Sequence, residues 1–213
     1  VANAASYDTG AISPGSVVII WGAGLGPDDL VSAVPGADGQ LSDTLAGTRI
    51  FFNGIAAPLL YTSAVQVAAV TPASLPAGSP ATVYAVYQGR SEPFVVPVAT
   101  ASPGIFTLDA SGRGGAVAWN EGGVLNRPDA PAEANSVLAF YITGAGPTAA
   151  PASDGAALQG ALPALSHPVT ARIGGTEATL LDAVAAPLAI PGVSLIRVLV
   201  PPEAPSGDAF LSV

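Results

Sequence analysis

The 213-residue sequence lacks cysteine, lysine and methionine, and it has a single histidine, His167. Without cysteine the chain can form no disulfide, no thiolate metal site and no cysteine nucleophile. A single histidine would leave a zinc site mostly to carboxylates, which is an uncommon ligand set. Six arginines face fifteen acidic residues, so the formal net charge is −9. We therefore expect neither nucleic-acid binding, which needs clustered cations, nor attraction to an anionic membrane surface.

Long apolar runs are also missing, although half of the residues are hydrophobic. The longest run, Ala183–Ile196, contains Pro187, Pro191 and Gly192, and it is shorter than the ~18 residues that a membrane-spanning helix needs. The 25 glycines and 21 prolines oppose long helices. They favour short strands joined by tight turns, so we expect an all-β protein with no membrane insertion. The sequence shows no signal peptide and begins with valine, as expected of a mature or excised segment.

Three features recur in the same order about 120 to 130 positions apart. Each copy begins with an apolar run that ends in a Gly-rich turn. A hairpin signal follows, since both central positions of a type I′ turn need positive φ and the dipeptides are Asn-Gly and Gly-Gly. Each copy ends in the spacing Pro-x-x-x-Pro-x-Gly. The segments are Val17–Pro27, Asn53-Gly54 and Pro72–Gly78, then Val137–Pro147, Gly174-Gly175 and Pro201–Gly207.

This order predicts two tandem immunoglobulin-like β-sandwich domains, over residues 1–101 and 102–213. We expect the second domain to carry an extra N-terminal hairpin over 116–126. It stops at Val213 without a visible counterpart of the first domain's last strand. Either the chain is cut there, or another segment, such as the extra hairpin, covers the exposed edge. The larger aromatic residues are expected to be core or interdomain plugs: Trp21, Phe51, Phe52, Phe94, Phe106 and Trp119.

Eight short segments together resemble a known family. They are Asn3–Ser6, Ile12–Ser16, Gly22–Gly26, Asn53–Tyr61, Ser102–Thr107, Asn120–Gly123, Leu125-Asn126 and Val200-Pro201. In this combination they resemble the Solibacter-type uncharacterised C-terminal domain of large secreted acidobacterial proteins. Each half is also similar to the TIG/IPT type of immunoglobulin-like domain. The resemblance implies an extracellular or cell-surface location and a structural, display or adhesion role, and it offers no catalytic residues to carry over.

Catalytic patterns are not found in the sequence. A Ser-His-Asp hydrolase would have to use His167 with a serine on a Gly-x-Ser-x-Gly turn, and no such pentapeptide occurs. Ser13 and Ser16 lie in a predicted turn before a strand. The Gly-rich Gly22–Gly26 segment lacks the lysine and the following helix of a phosphate-binding loop, so a β-turn explains it better.

Carboxylates in predicted loops could in principle form a glycosidase pair or bind Ca²⁺. Their spacing matches neither an EF-hand nor a Ca²⁺-binding repeat, and Asp is common in loops because it suits turn geometry. The candidates are Asp28, Asp29, Asp38, Asp43, Glu121, Asp129 and Glu133. We predict that the protein is not an enzyme and has no catalytic, metal-binding or cofactor-binding residues and no cofactor.

The predicted function is a non-catalytic structural, adhesion or display module of a larger secreted or cell-surface bacterial protein. Its partner, a protein or a glycan at the cell surface, and its oligomeric state are not indicated by the sequence. The alternative is a carbohydrate-binding accessory module of a secreted polysaccharide-active protein. That function needs two or three exposed aromatic residues in a line on one sheet face, for which Tyr84, Tyr87 and Trp119 are the nearest candidates.

Overall fold

A computed structural model describes residues 1–37, 39–149, 154–156, 162–186 and 192–213. These residues form sixteen strands and no helix, and every pairing between named strands is antiparallel. The expectation of an all-β protein is therefore confirmed. No described sheet combines strands from before residue 101 with strands from after it.

The described residues of the first half form two sheets of short strands. The strands are β1 (Ala2–Asn3), β2 (Val17–Trp21), β3 (Val31–Ser32), β4 (Arg49–Phe52), β5 (Ile55–Ala57), β6 (Leu59–Thr62), β7 (Gln66–Val70), β8 (Ala81–Val86) and β9 (Phe94–Val96). One sheet has the order β1-β2-β7-β6-β3 and the other β5-β4-β8-β9. Ile50 and Phe52 of one sheet and Leu59 of the other are fully buried in the same apolar core. The two sheets are therefore two layers over one core.

Strand β8 shows how the sequence makes this layer. Successive side chains of a strand point to opposite faces. Ala81, Val83 and Ala85 accordingly lie in the core, while Thr82 and Tyr84 point outward. The outward face of this sheet is therefore available to solvent.

The second half forms a single seven-stranded sheet. Its strands are β10 (Gly104–Ile105), β11 (Ala118–Asn120), β12 (Val137–Thr143), β13 (Ala171–Ile173), β14 (Thr176–Ala185), β15 (Val193–Leu199) and β16 (Leu211–Ser212). The order is β10-β12-β15-β14-β13-β16, and β11 also pairs with β12. Phe140, Ile142 and Ile196 are fully buried in a second core, separate from the first. The molecule also contains a nearly closed barrel.

The segments that match in sequence also pair alike. Strands β2, β7 and β6 are neighbours in that order, as are β12, β15 and β14. The Asn53-Gly54 turn joins β4 to β5, and the Gly174-Gly175 turn joins β13 to β14. Each half has two consecutive leucines after its hairpin turn, Leu59-Leu60 and Leu180-Leu181. The register is irregular at both places, between Leu59 and Tyr61 and between Leu180 and Asp182.

The second half forms one sheet where two separate sheets were expected. The physical reason is that it lacks a proline that the first half has. Pro58 lies between β5 and β6, and proline cannot donate to a sheet ladder, so the strand is interrupted there. No proline occurs within Thr176–Ala185. The single strand β14 therefore pairs with β13 at one end and with β15 at the other, and it links the two parts of the sheet.

Both edges of the second sheet carry short segments. The predicted extra hairpin is present as β11 with a bridge from Trp119 to Leu125, and it lies beside β12. Strand β16 pairs with β13, as β8 pairs with β4 in the first half. Strand β16 therefore corresponds to β8, and among the described residues the first half's last strand, β9, has no counterpart in the second half.

A buried polar seam, made of Asn3, Ser13, Ser16, Thr71 and Thr143, joins the two halves. All five side chains are at most 2% exposed. The Val17 backbone N–H donates to Thr143 Oγ1 at 2.8 Å, and Thr143 Oγ1 donates to the Gly192 carbonyl at 2.6 Å. A buried polar group is costly unless it is hydrogen-bonded. The seam therefore fixes where the end of β12 meets the start of β2.

Two further hydrogen bonds cross the seam, from Ser13 Oγ to the Gly144 carbonyl at 3.1 Å and from Asn3 Nδ2 to the Ser102 carbonyl at 2.8 Å. The backbones meet closely here. A Cβ on Gly144, whose φ is 85°, would lie 2.1 Å from the Ser102 carbonyl oxygen. Only glycine fits at that position.

A second contact between the halves involves residues 154–156. The Asp154 carboxylate accepts a hydrogen bond from the Ala73 N–H at 2.7 Å, and the Gly155 carbonyl accepts one from the Leu41 N–H at 2.9 Å. Ala156 also forms a bridge with Gln40. The second half therefore contacts the first at two places that are distant in sequence.

Candidate functional site

The residues considered for catalysis are not brought together within the described part of the chain. His167 is exposed in a loop, and its ring lies near Gly146. No group of three or more His, Asp or Glu residues within the described ranges could hold a metal ion. Ser13 and Ser16 belong to the buried seam, where both hydroxyls donate to backbone carbonyls. Asp38 lies outside the described residues.

The other carboxylates of the sequence prediction are spread over the surface. Asp28, Asp29, Asp129 and Glu133 are exposed. Asp43 forms an ion pair with Arg49 at 2.9 Å. Glu121 accepts a hydrogen bond from the Val137 N–H at 3.2 Å. The last two contacts tie a loop to a strand.

The Gly-rich segment after β2 forms a tight turn rather than an anion site. Leu25 is buried in the core beneath it. A Cβ on Gly26 would lie 2.2 Å from Thr62 Oγ1 and 2.9 Å from Thr48 Oγ1. These two threonines are hydrogen-bonded to each other at 2.9 Å. Because Gly26 has no side chain, the backbone can pass close to this buried pair of hydroxyls.

An apolar cleft of about 270 Å³ opens beside this turn, between the two sheets of the first half. Ile20, Ile50 and Val83 of the core lie at its base. Trp21 and Phe94 also line it and are 48% and 37% exposed, so the expectation that these two are core or interdomain plugs is wrong. Both lie at the ends of strands, where alternation no longer fixes which side chain is buried.

The outer face of the four-stranded sheet carries four stacked planar groups. The rings of Phe51 and Tyr84, which are paired across β4 and β8, stack with centroids 4.8 Å apart and planes 13° apart. The Arg49 guanidinium covers the Phe51 ring at 4.8 Å, and that of Arg90 covers the Tyr84 ring at 3.8 Å. These are cation–π contacts. The stack leaves little ring face for a ligand.

The outer face of the seven-stranded sheet has a different arrangement. Trp119, Ala139, Arg197 and Asp182 lie opposite one another on four neighbouring strands, in that order. Their inward neighbours Ala118, Leu138, Ile196 and Val198 are buried, so this row faces outward. Strands lie ~4.8 Å apart, which places Trp119 and Arg197 on either side of Ala139 at about 10 Å. We call this depression the Trp119 trough.

Tyr141 borders the trough two residues after Ala139 on β12. Its ring meets that of Trp119 edge-to-face, with centroids 5.2 Å apart and planes at 88°. This geometry is favourable for aromatic pairs because the positive edge of one ring meets the negative face of the other. Both rings are half-buried and so remain in part accessible to solvent.

The opposite wall of the trough is an arginine–aspartate pair. Arg197 Nε lies 3.1 Å and 2.9 Å from the two oxygens of Asp182, and Arg197 Nη2 also donates to Asp182 Oδ2. The hydrogen bonds and charge of Asp182 raise the pKa of Arg197 above its usual range. A forked contact of this kind holds the guanidinium plane in one orientation.

The three aromatic residues named as the nearest candidates for an aromatic line are all half-buried. Tyr84 lies in the stack of the first half, Tyr87 lies against Gly47, and Trp119 belongs to a different sheet. These three candidates therefore do not form the line on one sheet face that the carbohydrate-binding alternative needs. The sequence prediction missed Ala139, Tyr141, Asp182 and Arg197. Alternation along Val137–Thr143 predicts that Ala139 and Tyr141 point outward. Which residues of other strands lie beside them depends on the pairing register, which the sequence does not show.

No family model, no curated protein and no solved structure matches this chain. The resemblance to the Solibacter-type family accordingly stays a prediction. Within the described part of the chain, no helix has the length and apolar character needed to cross a membrane.

Proposed function

We propose that the chain is a non-catalytic structural module of an extracellular or cell-surface bacterial protein, serving adhesion or display. In this proposal its two halves are tandem immunoglobulin-like domains of the TIG/IPT type, and they are held as one rigid unit. The buried polar seam carries the proposal. A module that spaces or presents a partner benefits from a fixed geometry, since less freedom is lost when the partner binds.

The composition of the seam supports a fixed arrangement. Interdomain contacts that allow motion are usually wet and easily rearranged. In this protein Thr143 is 0% exposed and connects Val17 of the first half to Gly192 of the second. Moving one half relative to the other would break the hydrogen bond from Val17 to Thr143 and leave the buried Val17 N–H without a partner, at a cost of ~1–3 kcal/mol.

The shared strand pairings support the tandem arrangement. Duplication of one unit would give the order β2-β7-β6 in one half and β12-β15-β14 in the other. In each half a glycine hairpin follows the first of these strands in the chain, as duplication also predicts. The continuous β14 is then a variation on the β5–β6 pair in which no proline interrupts the strand.

Spin labels test the rigid unit, and the cysteine-free chain allows them to be placed freely. Thr82 and Thr179 are exposed strand residues of different halves. We expect electron–electron resonance of the doubly labelled T82C/T179C variant to give one narrow distance distribution. Adding Thr143→Val should broaden it, because that change removes the central hydrogen bonds of the seam. A broad distribution without the seam substitution would contradict the proposal.

A second candidate function is a carbohydrate-binding accessory module. One observation favours it: the exposed Trp119 trough combines an aromatic pair with a fixed arginine–aspartate pair. Ligand sites typically combine aromatic surface with a few well-placed polar groups.

A further inference from the structure

We propose that the Trp119 trough binds one pyranose ring of an uncharged polysaccharide whose ring substituents are all equatorial. Trp119 would pack on the C–H face of the sugar, while Arg197 and Asp182 would hydrogen-bond its hydroxyls. This inference rests on the second candidate function and assigns it a site. The argument uses the shape, the chemistry and the charge of the trough in turn.

The shape follows from one small residue among larger ones. Ala139 has Trp119 and Arg197 as its paired neighbours across the sheet, and Val137 and Tyr141 as its outward neighbours along β12. Its methyl group is the floor of the trough. The ~10 Å between the two paired neighbours gives room for one flat six-membered ring between a side chain on each side.

The two walls match the two parts of a sugar ring. An all-equatorial pyranose has axial C–H groups on its faces and hydroxyls around its rim. The indole of Trp119 offers a large, rigid apolar surface, and the edge-to-face contact with Tyr141 holds its orientation. The C–H groups of the sugar can cover this surface without loss of hydrogen bonds.

The opposite wall supplies donors and acceptors for the rim. A guanidinium has five N–H donors. The pair with Asp182 engages those on Nε and Nη2, so donors of Arg197 remain free. The Asp182 oxygens keep lone pairs for a sugar hydroxyl. Because the pair is already oriented, little side-chain entropy is lost when a hydroxyl binds.

The charges of the trough and of the whole chain favour an uncharged ligand. Arg197 and Asp182 neutralise each other in the trough, and the chain as a whole has a formal net charge of −9. A polyanionic polysaccharide would approach against this charge without a free cation to meet it.

The other surfaces fit a sugar less well. In the stack of the first half, Phe51 and Tyr84 cover each other and the two guanidiniums cover the remaining faces. The cleft beside Trp21 has core residues at its base, and most of its lining residues are apolar.

The experiment uses the two tryptophans, one in each half, as reporters. Trp21→Phe leaves Trp119 as the only tryptophan, and cellohexaose and xylohexaose are titrated against its fluorescence. Ala139→Leu then fills the floor without removing any group. The matched control is Ala56→Leu, which adds the same bulk to the outward face of β5 in the other half. Trp119→Ala is measured by calorimetry, and thermal unfolding verifies that each variant is folded.

We expect saturable binding that Ala139→Leu and Trp119→Ala each weaken at least about tenfold, which corresponds to ~1.4 kcal/mol. Trp21→Phe and Ala56→Leu should leave the affinity unchanged, and oligogalacturonate should not bind. Binding that both trough variants leave intact would overturn the trough as the site while the carbohydrate function stands. Equal affinity for oligogalacturonate would overturn the assignment to uncharged sugars. Failure of both neutral oligosaccharides to bind would overturn the inference, and a glycan array without any signal would overturn the second candidate function as well.

Discussion

At the scale of single residues, buried hydroxyl groups make the most specific contacts. The Thr143 hydroxyl accepts a hydrogen bond from Val17 in the first half and donates one to Gly192 in the second half. Neither partner is near Thr143 in sequence. Ser13 and Thr71 satisfy backbone carbonyls in the same way. A hydroxyl suits this position because it is a donor and an acceptor at once.

Replacing Thr143 by valine keeps the shape of the side chain and removes its hydroxyl. The buried Val17 N–H would then lose its acceptor, and the half-buried Gly192 carbonyl would lose its donor. We expect a loss of ~2–3 kcal/mol in the free energy of unfolding, measured by urea denaturation.

The matched control is Thr179→Val on the exposed side of β14. We expect a change within ~0.5 kcal/mol there, because the hydroxyl faces water and valine suits a strand. An equal effect of the two substitutions would show that the seam hydroxyl has no special role.

At the scale of strands and turns, local sequence signals were informative. Asn53-Gly54 and Gly174-Gly175 predicted two hairpins that are present, because the conformation of a short turn depends on the residues in it. The buried strands β2 and β12 follow from their apolar runs. The continuity of β14 follows from the lack of proline, although the expectation of two tandem sandwich domains did not use it.

Contacts between strands could not be predicted from the sequence. The Trp119 trough depends on how β11, β12, β15 and β14 align, and a shift of one residue would turn Ala139 inward. The seam is equally non-local, since serine and threonine before a strand are ordinary turn residues. Trp21 and Phe94 were expected in the core because burial was inferred from residue type alone.

Gly144 tests the close approach at the end of β12. An alanine there would adopt an unfavourable positive φ and would bring its Cβ into the Ser102 carbonyl. Gly54→Ala is the matched control, since Gly54 has a φ of 81° and no neighbour within 4 Å of the added carbon. We expect Gly54→Ala to cost ~1–2 kcal/mol.

Gly144→Ala should cost more than its control by at least ~1–3 kcal/mol, because overpacking adds to the backbone strain. Chemical denaturation of both variants measures the difference. Equal costs would mean that the two backbones do not meet as closely as described.

At the scale of the whole molecule, the central claim is that two β cores behave as one body. Each core is a separate apolar cluster, so the halves could unfold independently if nothing coupled them. The seam and the 154–156 contact are the features that couple them. A rigid body of this kind suits a structural module and also holds the Trp119 trough in a fixed orientation to the rest of the chain.

Differential scanning calorimetry of the whole chain tests this coupling most directly. We expect a single transition whose calorimetric and van't Hoff enthalpies agree, because loss of either core would expose the buried seam of the other. The Thr143→Val variant should separate it into two transitions or lower the enthalpy ratio. Two resolved transitions in the unmodified chain would contradict the account.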